Sequence, residues 1–439
     1  MNLTRKERIV RKIVSWLVAL LYERVEVHQA PGATSDGPEL GVSNHFGGFA
    51  DPLLLIYAMD RVPRFVARDV IWKVPVAKQL MNWLGAIPVH KREDKGPRNA
   101  TPDMFRSTYD AFHEDDLVVI FPEGITVDDP SIASIKTGAA RIALGARAAG
   151  VEDLEVIPAG IHYDDKASLR SKVFVNIGAG MDVDAWFESY DGDDPATSDN
   201  RDAVRRLTDD IEDRLRRTAP NFGDWQEAKA LSLAAEVAVR NASDTAVEVS
   251  YGERQRVAAL LSRADDVPKQ AVIDALEVYE RDLDAFGIGD RAMYHYQQRE
   301  RGVFWYLVRT AIIGLVLLPF ALIGLLINII PMVLMWAVGR LRMAPAVFAT
   351  VKPMSAILFF GLTWGYSVWS VWTSLGYQAG LIQILLLPFY LFALIAWAER
   401  VAAFFRVLRS WRGVRKSRSV EVEIAAHRSA VVSAVAEAL

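Results

Sequence analysis

The chain has 439 residues, a formal net charge of −4 and no cysteine. Its length allows two to three domains. The charge offers no global attraction to nucleic acid, and the lack of thiols excludes disulfides, a thiolate nucleophile and a cysteine-based zinc site.

Residues 1–24 start basic, with Arg5, Lys6, Arg8, Arg11 and Lys12, and turn apolar at helical spacing through Ile9, Ile13, Trp16, Leu17, Leu20 and Leu21. A secretory signal would show a small-residue cleavage site where Glu23-Arg24 stand. The pattern predicts an amphipathic helix lying on a membrane surface; a core helix of the first domain is the plainer alternative.

Over residues 25–188 short β-rich runs alternate with helical stretches. Strands are predicted at Glu39–Val42, Arg64–Ala67, Leu117–Phe121, Glu155–Ala159 and Val173–Ile177, and helices at 51–59, 74–83, 102–113 and 137–149. The alternation implies an α/β domain with a mostly parallel sheet. Residues 189–300 read as an acidic linker up to about 200 and then a helical segment. Val204, Leu207, Ile211 and Leu215 mark one amphipathic helix there, and Val272, Leu276, Tyr279 and Leu283 another.

No charged residue falls between Thr310 and Gly339, or between Pro353 and Ala398. Both runs exceed the roughly 20 residues that a membrane-spanning helix needs, so the fold class is an α/β domain followed by a helical segment and C-terminal membrane helices. Arg301, Arg309, Arg340, Arg342, Lys352 and Arg400 flank the runs. If cations mark the cytoplasmic side, 301–400 holds membrane hairpins, the first a shallow re-entrant one bent at Pro319 and the second turning near Ser374-Leu375-Gly376. Residues 401–439 form a basic cytoplasmic tail, and the protein is expected to be integral to the membrane with its α/β domain facing the cytoplasm.

Four stretches fall at the ends of predicted strands or close after them. In Asn44-His45-Phe46-Gly47-Gly48-Phe49-Ala50-Asp51-Pro52, a histidine precedes an aspartate across two glycines. Asp51 as N-cap and Pro52 at the first position predict a helix starting there, with the loop folding His45 back towards it. A carboxylate beside an imidazole holds one ring nitrogen protonated and leaves the other free as a base. The remaining stretches are Gly85-Ala86-Ile87-Pro88-Val89-His90-Lys91-Arg92, Phe121-Pro122-Glu123-Gly124 and Val156-Ile157-Pro158-Ala159-Gly160. Ligand sites of parallel sheets lie beyond the strands' carboxyl ends, so the four converge on one cleft. His90 and His162 also lie near strand ends, but no H-E-x-x-H or clustered ligand spacing supports a metal site.

In order and approximate spacing, these motifs across residues 38–180 resemble the glycerolipid acyltransferase superfamily, the lysophospholipid and glycerol-phosphate acyltransferases with a His…Asp first motif. Ile135-Lys136-Thr137-Gly138-Ala139-Ala140 is similar to the family's stretch after its third motif. The commonest form has four residues between His and Asp and this chain has five, as in branches that resemble glycerol-3-phosphate or dihydroxyacetone-phosphate acyltransferases.

The resemblance implies acyl transfer from a thioester, acyl-CoA or acyl carrier protein as co-substrate, to a hydroxyl of glycerol-3-phosphate or lysophosphatidate at a membrane. No further cofactor and no nucleic acid are implied. It makes His45 and Asp51 catalytic and puts Glu123 and Gly124 at the acceptor site. For the acceptor phosphate the candidates are Arg92 with Lys91, then Lys136 and Arg68. Backbone amides near Gly47-Gly48 or Gly124 are candidate oxyanion donors. The competing reading is an ester or thioester hydrolase in which the same pair activates water.

Overall fold

A computed structural model describes residues 4–73, 75–89, 102–125, 129–165, 170–243, 248–291, 300–341, 345–417 and 421–439. It divides into two compact units, 1–228 with 250–262, and 229–249 with 263–439.

The first unit opens with α1 (Arg5–Leu21), capped by Thr4 in a reciprocal box with Glu7. Val10, Val14 and Val18 recur every four residues on its buried side, and Ile9, Ile13 and Trp16 lie exposed on another. The helix therefore has two apolar faces, one spent on the core. Then come β1 (Tyr22–Gln29), β2 (Glu39–Ser43), α2 (Ala50–Ala58), β3 (Arg64–Arg68), α3 (Pro75–Leu84), β4 (Ile87–Val89), α4 (Pro102–Phe112), β5 (Leu117–Ile120), α5 (Gly138–Ala148), β6 (Glu155–Tyr163), β7 (Ser171–Ile177) and β8 (Met181–Asp182).

The sheet order is β1-β7-β6-β2-β5-β3-β4, with β8 on β6. All pairings are parallel except β6 with β7 and with β8. The central strand β2 is buried throughout, as expected where helices cover both faces. One face packs Leu40, Val42, Val118 and Val156 with α4, α5 and α7 (Arg201–Thr218). The other packs Val119, Ile157 and Ile161 with α1 and α2.

Four features depart from the sequence reading. β1, β4 and β8 were not expected; in β1, Val25 and Val27 pair in parallel with Val173 and Val175. β6 does not stop at Ala159 but runs on to Tyr163, because Ala159–Tyr163 pair with β7. The stretch 190–200, between α6 (Val183–Ser189) and α7, is tied down, since the Asn200 side chain bonds the carbonyls of Asp194 and Pro195 and caps α7. The first unit also takes in α7 and α9 (Tyr251–Leu261) from the segment read as linker and helices.

The second unit holds most of α8 (Trp225–Ala242), α10 (Asp266–Phe286), α11 (Glu300–Gly339), α12 (Pro345–Leu375), α13 (Tyr377–Ser417) and α14 (Glu421–Ala438). Arg240, fully buried, pairs with Glu236 and Asp290, and Asp290 also receives Arg428 and Tyr279; a buried cation is retained only when paired in this way. The predicted hairpin at Pro319 is not formed. α11 is continuous, with Pro319 and Pro331 inside it, since apolar helices in a packed bundle accommodate proline. The second hairpin does turn at Gly376, whose φ of +91° suits glycine.

Phe304–Gly339, Met354–Leu375 and Tyr377–Gly413 are long and apolar enough to cross a membrane, and they make this a membrane protein. Polar bonds tie these helices together. Buried Asn328 accepts from Trp364 at 2.9 Å, and Gln383 donates to Ser367 at 2.8 Å.

Candidate active site

The parallel strands β2, β3, β4, β5 and β6 end at one edge of the sheet, and the site is assembled there. β2 delivers Ser43 and Asn44, both buried. The Asn44 amide accepts from the N–H of Ile161 at 2.7 Å and donates to its carbonyl at 3.1 Å. It thereby pairs with β6 as a further strand residue would. The next residue, His45, donates its backbone N–H to Glu123 Oε1 at 2.9 Å, and Glu123 Oε2 accepts from Ala133 N–H at 3.0 Å. Both oxygens of Glu123 are thus spent on backbone, and the carboxylate staples the loop after β2 to the loop after β5. Burial raises the Glu123 carboxyl above its ordinary range, and the two N–H donors oppose that shift.

The His45 ring stacks on Phe121 at a centroid distance of 4.2 Å. Its Nδ1 lies 2.8 Å from Asp51 Oδ2, with the histidine side chain 22% exposed and the aspartate 0%. An ionised carboxylate only accepts, so Nδ1 carries the proton and Nε2 is bare. No described residue bonds Nε2. Asp51 was expected to cap the helix it opens. α2 in fact begins at Ala50 with Phe49 as cap residue, and the Asp51 carboxylate turns back into the loop. Gly47 N–H lies 3.0 and 2.9 Å from its two oxygens, and Tyr163 donates its phenol to Oδ1 at 2.5 Å. Four donor contacts and a place in the first turn of α2 stabilise the charge. Gly47 has no room for a side chain. A Cβ there would collide with the Tyr163 hydroxyl and lie 2.7 Å from Asp51 Oδ1. Gly48, at φ +59°, turns the loop.

Of the three candidate oxyanion amides, those of Gly47 and Gly124 are already bonded, the latter to Phe121 at 3.0 Å. Gly48 N–H is the one with no bond to a described residue. Gly124 sits at φ +66°, and a Cβ there would lie 2.6 Å from Lys136 Nζ, which brings this exposed cation onto the 121–125 loop. Arg68 is exposed at the end of β3, in register with Val89 at the end of β4. Lys91, Arg92 and His90 lie outside the described residues. His162 turns away from the edge. Its Nε2 bonds Thr218 O at 2.7 Å, and burial pushes its pKa down to about 4.

Tyr163 is the residue the sequence reading missed. The signal was available: Ile157, Ala159, Ile161 and Tyr163 continue one strand face. Ending that strand at Ala159 hid it.

A buried aspartate orienting a histidine whose second nitrogen is free defines a base suited to proton removal from a hydroxyl or water. Residues 24–162 match the family model described as Acyltransferase. A glycerol-3-phosphate O-acyltransferase 2 of Saccharomyces cerevisiae is 30% identical over 194 residues, which are 43% of this chain and 25% of that protein. The chain therefore spans about a quarter of that relative's length. A solved 1-acyl-sn-glycerophosphate (LPA) acyltransferase, PlsC, from Thermotoga maritima is 19% identical and covers 47% of this chain and 77% of its own, at a TM-score of 0.35. Residues 24–162 are thus similar in sequence to the Acyltransferase family.

Proposed function

We propose that the first unit transfers a fatty acyl group from a thioester, acyl-CoA or acyl carrier protein, to a hydroxyl of a phosphorylated glycerol, glycerol-3-phosphate or lysophosphatidate. The observation that carries this reading is His45, held through Nδ1 by buried Asp51 with Nε2 free, inside a domain matching the acyltransferase family.

In this scheme Nε2 takes the acceptor's hydroxyl proton while the oxygen attacks the thioester carbonyl. Asp51 stabilises the imidazolium that forms. The oxyanion gathers at the amide of Gly48. The C–S bond then breaks, and the departing thiolate receives the proton from His45. No covalent acyl-enzyme is needed, and the chain has no cysteine to form one. Glu123 acts by fixing the backbone of His45. Lys136 above Gly124, Arg68, and Lys91 and Arg92 following β4 are the cations for the acceptor phosphate.

The membrane helices hold this domain where acyl chains partition. Ile9, Ile13 and Trp16 on α1, interleaved with Lys6, Arg8 and Lys12, suit a bilayer surface with the domain on the cytoplasmic side.

The test is labelled acyl-CoA supplied to the full protein in liposomes with a panel of glycerol-phosphate acceptors. Acceptor-dependent CoA release and a labelled glycerolipid are expected. CoA release at the same rate without acceptor would make the protein a hydrolase instead.

A further inference from the structure

Asp51 has more partners than orienting one histidine requires. Beyond His45 and Gly47, its Oδ1 receives the phenol of Tyr163 at 2.5 Å, and Tyr22 hydrogen-bonds Tyr163 in turn. Both phenols are shifted above the ordinary tyrosine range, by burial first and by the charge of Asp51 second, so both stay protonated. The carboxylate can only accept, so the Tyr163 proton points at Asp51. Each phenol is anchored by backbone pairing. Tyr163 ends β6 opposite Val173 of β7, and Tyr22 begins β1 opposite Ser171, directly after α1. Gly47 leaves the Tyr163 hydroxyl just enough space to reach the carboxylate.

We infer that Tyr163, backed by Tyr22, is a positioning residue for the His45 base. By taking up part of the charge on Asp51, it sets the pH at which His45 is free to accept a proton. The inference rests on the acyl-transfer reading for its substrates but not for its chemistry. Without the phenol, the full carboxylate charge falls on His45 and favours the imidazolium, so the free base forms only at higher pH. Among the described residues Glu123 also faces the pair, bonded to the His45 amide, and Lys136 lies beside Gly124. Both are the same in wild type and variant.

The test uses the full protein in detergent with Tyr163→Phe, Tyr22→Phe and His45→Ala. The acidic limb of the kcat/KM profile is expected to move up by about one pH unit in Tyr163→Phe, about tenfold in the fraction of free base. Rates on the alkaline plateau fall by less than those on the acidic limb. Tyr22→Phe shifts the limb in the same direction by less, and it serves in place of Tyr163→Phe should that variant fail to fold. An unmoved limb overturns the inference, and so does a loss that is uniform at every pH.

A second readout needs no substrate: carbethoxylation of His45 by diethyl pyrocarbonate, mapped by peptide mass. The pH at which His45 becomes reactive rises in Tyr163→Phe if the inference holds and stays put if it does not. Should the wild type transfer no acyl group, the functional reading fails while this measurement still decides the role of Tyr163.

Discussion

The described residues include two histidine–aspartate pairs, and their difference is instructive. His45 and Asp51 meet at 2.8 Å in the first unit, and His427 and Asp282 meet at 2.6 Å between α14 and α10 in the second. Bond length does not separate them. Surroundings do. Asp51 is fully buried and receives three further donor contacts from Gly47 and Tyr163, whereas Asp282 is 28% exposed and its histidine 33%. The first pair has an anion fixed in charge and direction and an imidazole with a free nitrogen at a sheet edge. The second is a half-solvated tie between two helices, worth less than about 1 kcal/mol. Only the pair with a locked acid has the form of a fixed base.

Four outcomes break or sharpen that contrast. The largest is expected for His45→Ala and Asp51→Asn, each lowering acyl transfer by about a thousandfold or more if the pair is the base. Retained activity in His45→Ala would sink the mechanism.

Next comes a third histidine, His162, which has a carbonyl partner and no acid. Its folded pKa of about 4 lies below the ordinary 6.5, so the unfolded chain binds more protons between those values. Its contribution to stability is therefore intact above about pH 6.5 and is lost as pH falls to about 4, costing about 3 kcal/mol in full. Thermal unfolding at neutral and acid pH should show His162→Gln to be less acid-sensitive than wild type. Equal sensitivity would remove His162 from the account.

A smaller loss, about a hundredfold in kcat, is expected for Gly47→Ala, because the added methyl crowds Asp51 Oδ1 and moves the carboxylate that orients the His45 ring. An active Gly47→Ala enzyme would show that the lock on Asp51 is dispensable. The smallest effect belongs to His427→Ala, with acyl transfer within about twofold and stability within about 1 kcal/mol of wild type. A large fall in activity there would erase the distinction between the pairs.

The His45–Asp51 contact was legible because a short loop with two glycines brings the partners together locally. The roles around it were not, because they depend on strands far away in sequence. Asn44 meets Ile161, and Asp51 meets Tyr163, across more than a hundred residues, and no local pattern encodes such a pairing. Asp51 itself misled: aspartate before proline reads as a helix cap, but the long-range phenol and the His45 ring claim its carboxylate. β2, β3, β5 and β7 were visible as short apolar runs between turn signals. β1 escaped because an edge strand with alternating Glu and Val carries little hydrophobic signal. At Pro319 a residue that breaks helices in water was given too much weight in an apolar helix.

The first strand of the chain pairs with β7, whose partner residues begin at Ser171. A ribosome adding about 5–20 residues per second needs roughly 7–30 s between making Tyr22 and making its partner. Through most of that interval the amphipathic helix before Tyr22 is complete, but of the cluster around its valine stripe only the residues of α2, β3 and β5 have been made. The His45 loop likewise waits for Ile161 and Tyr163 before anything can hold it. The nascent chain thus carries a partly covered helix and an unfixed His45 loop at the same time, and both conditions end when β6 and β7 close the sheet.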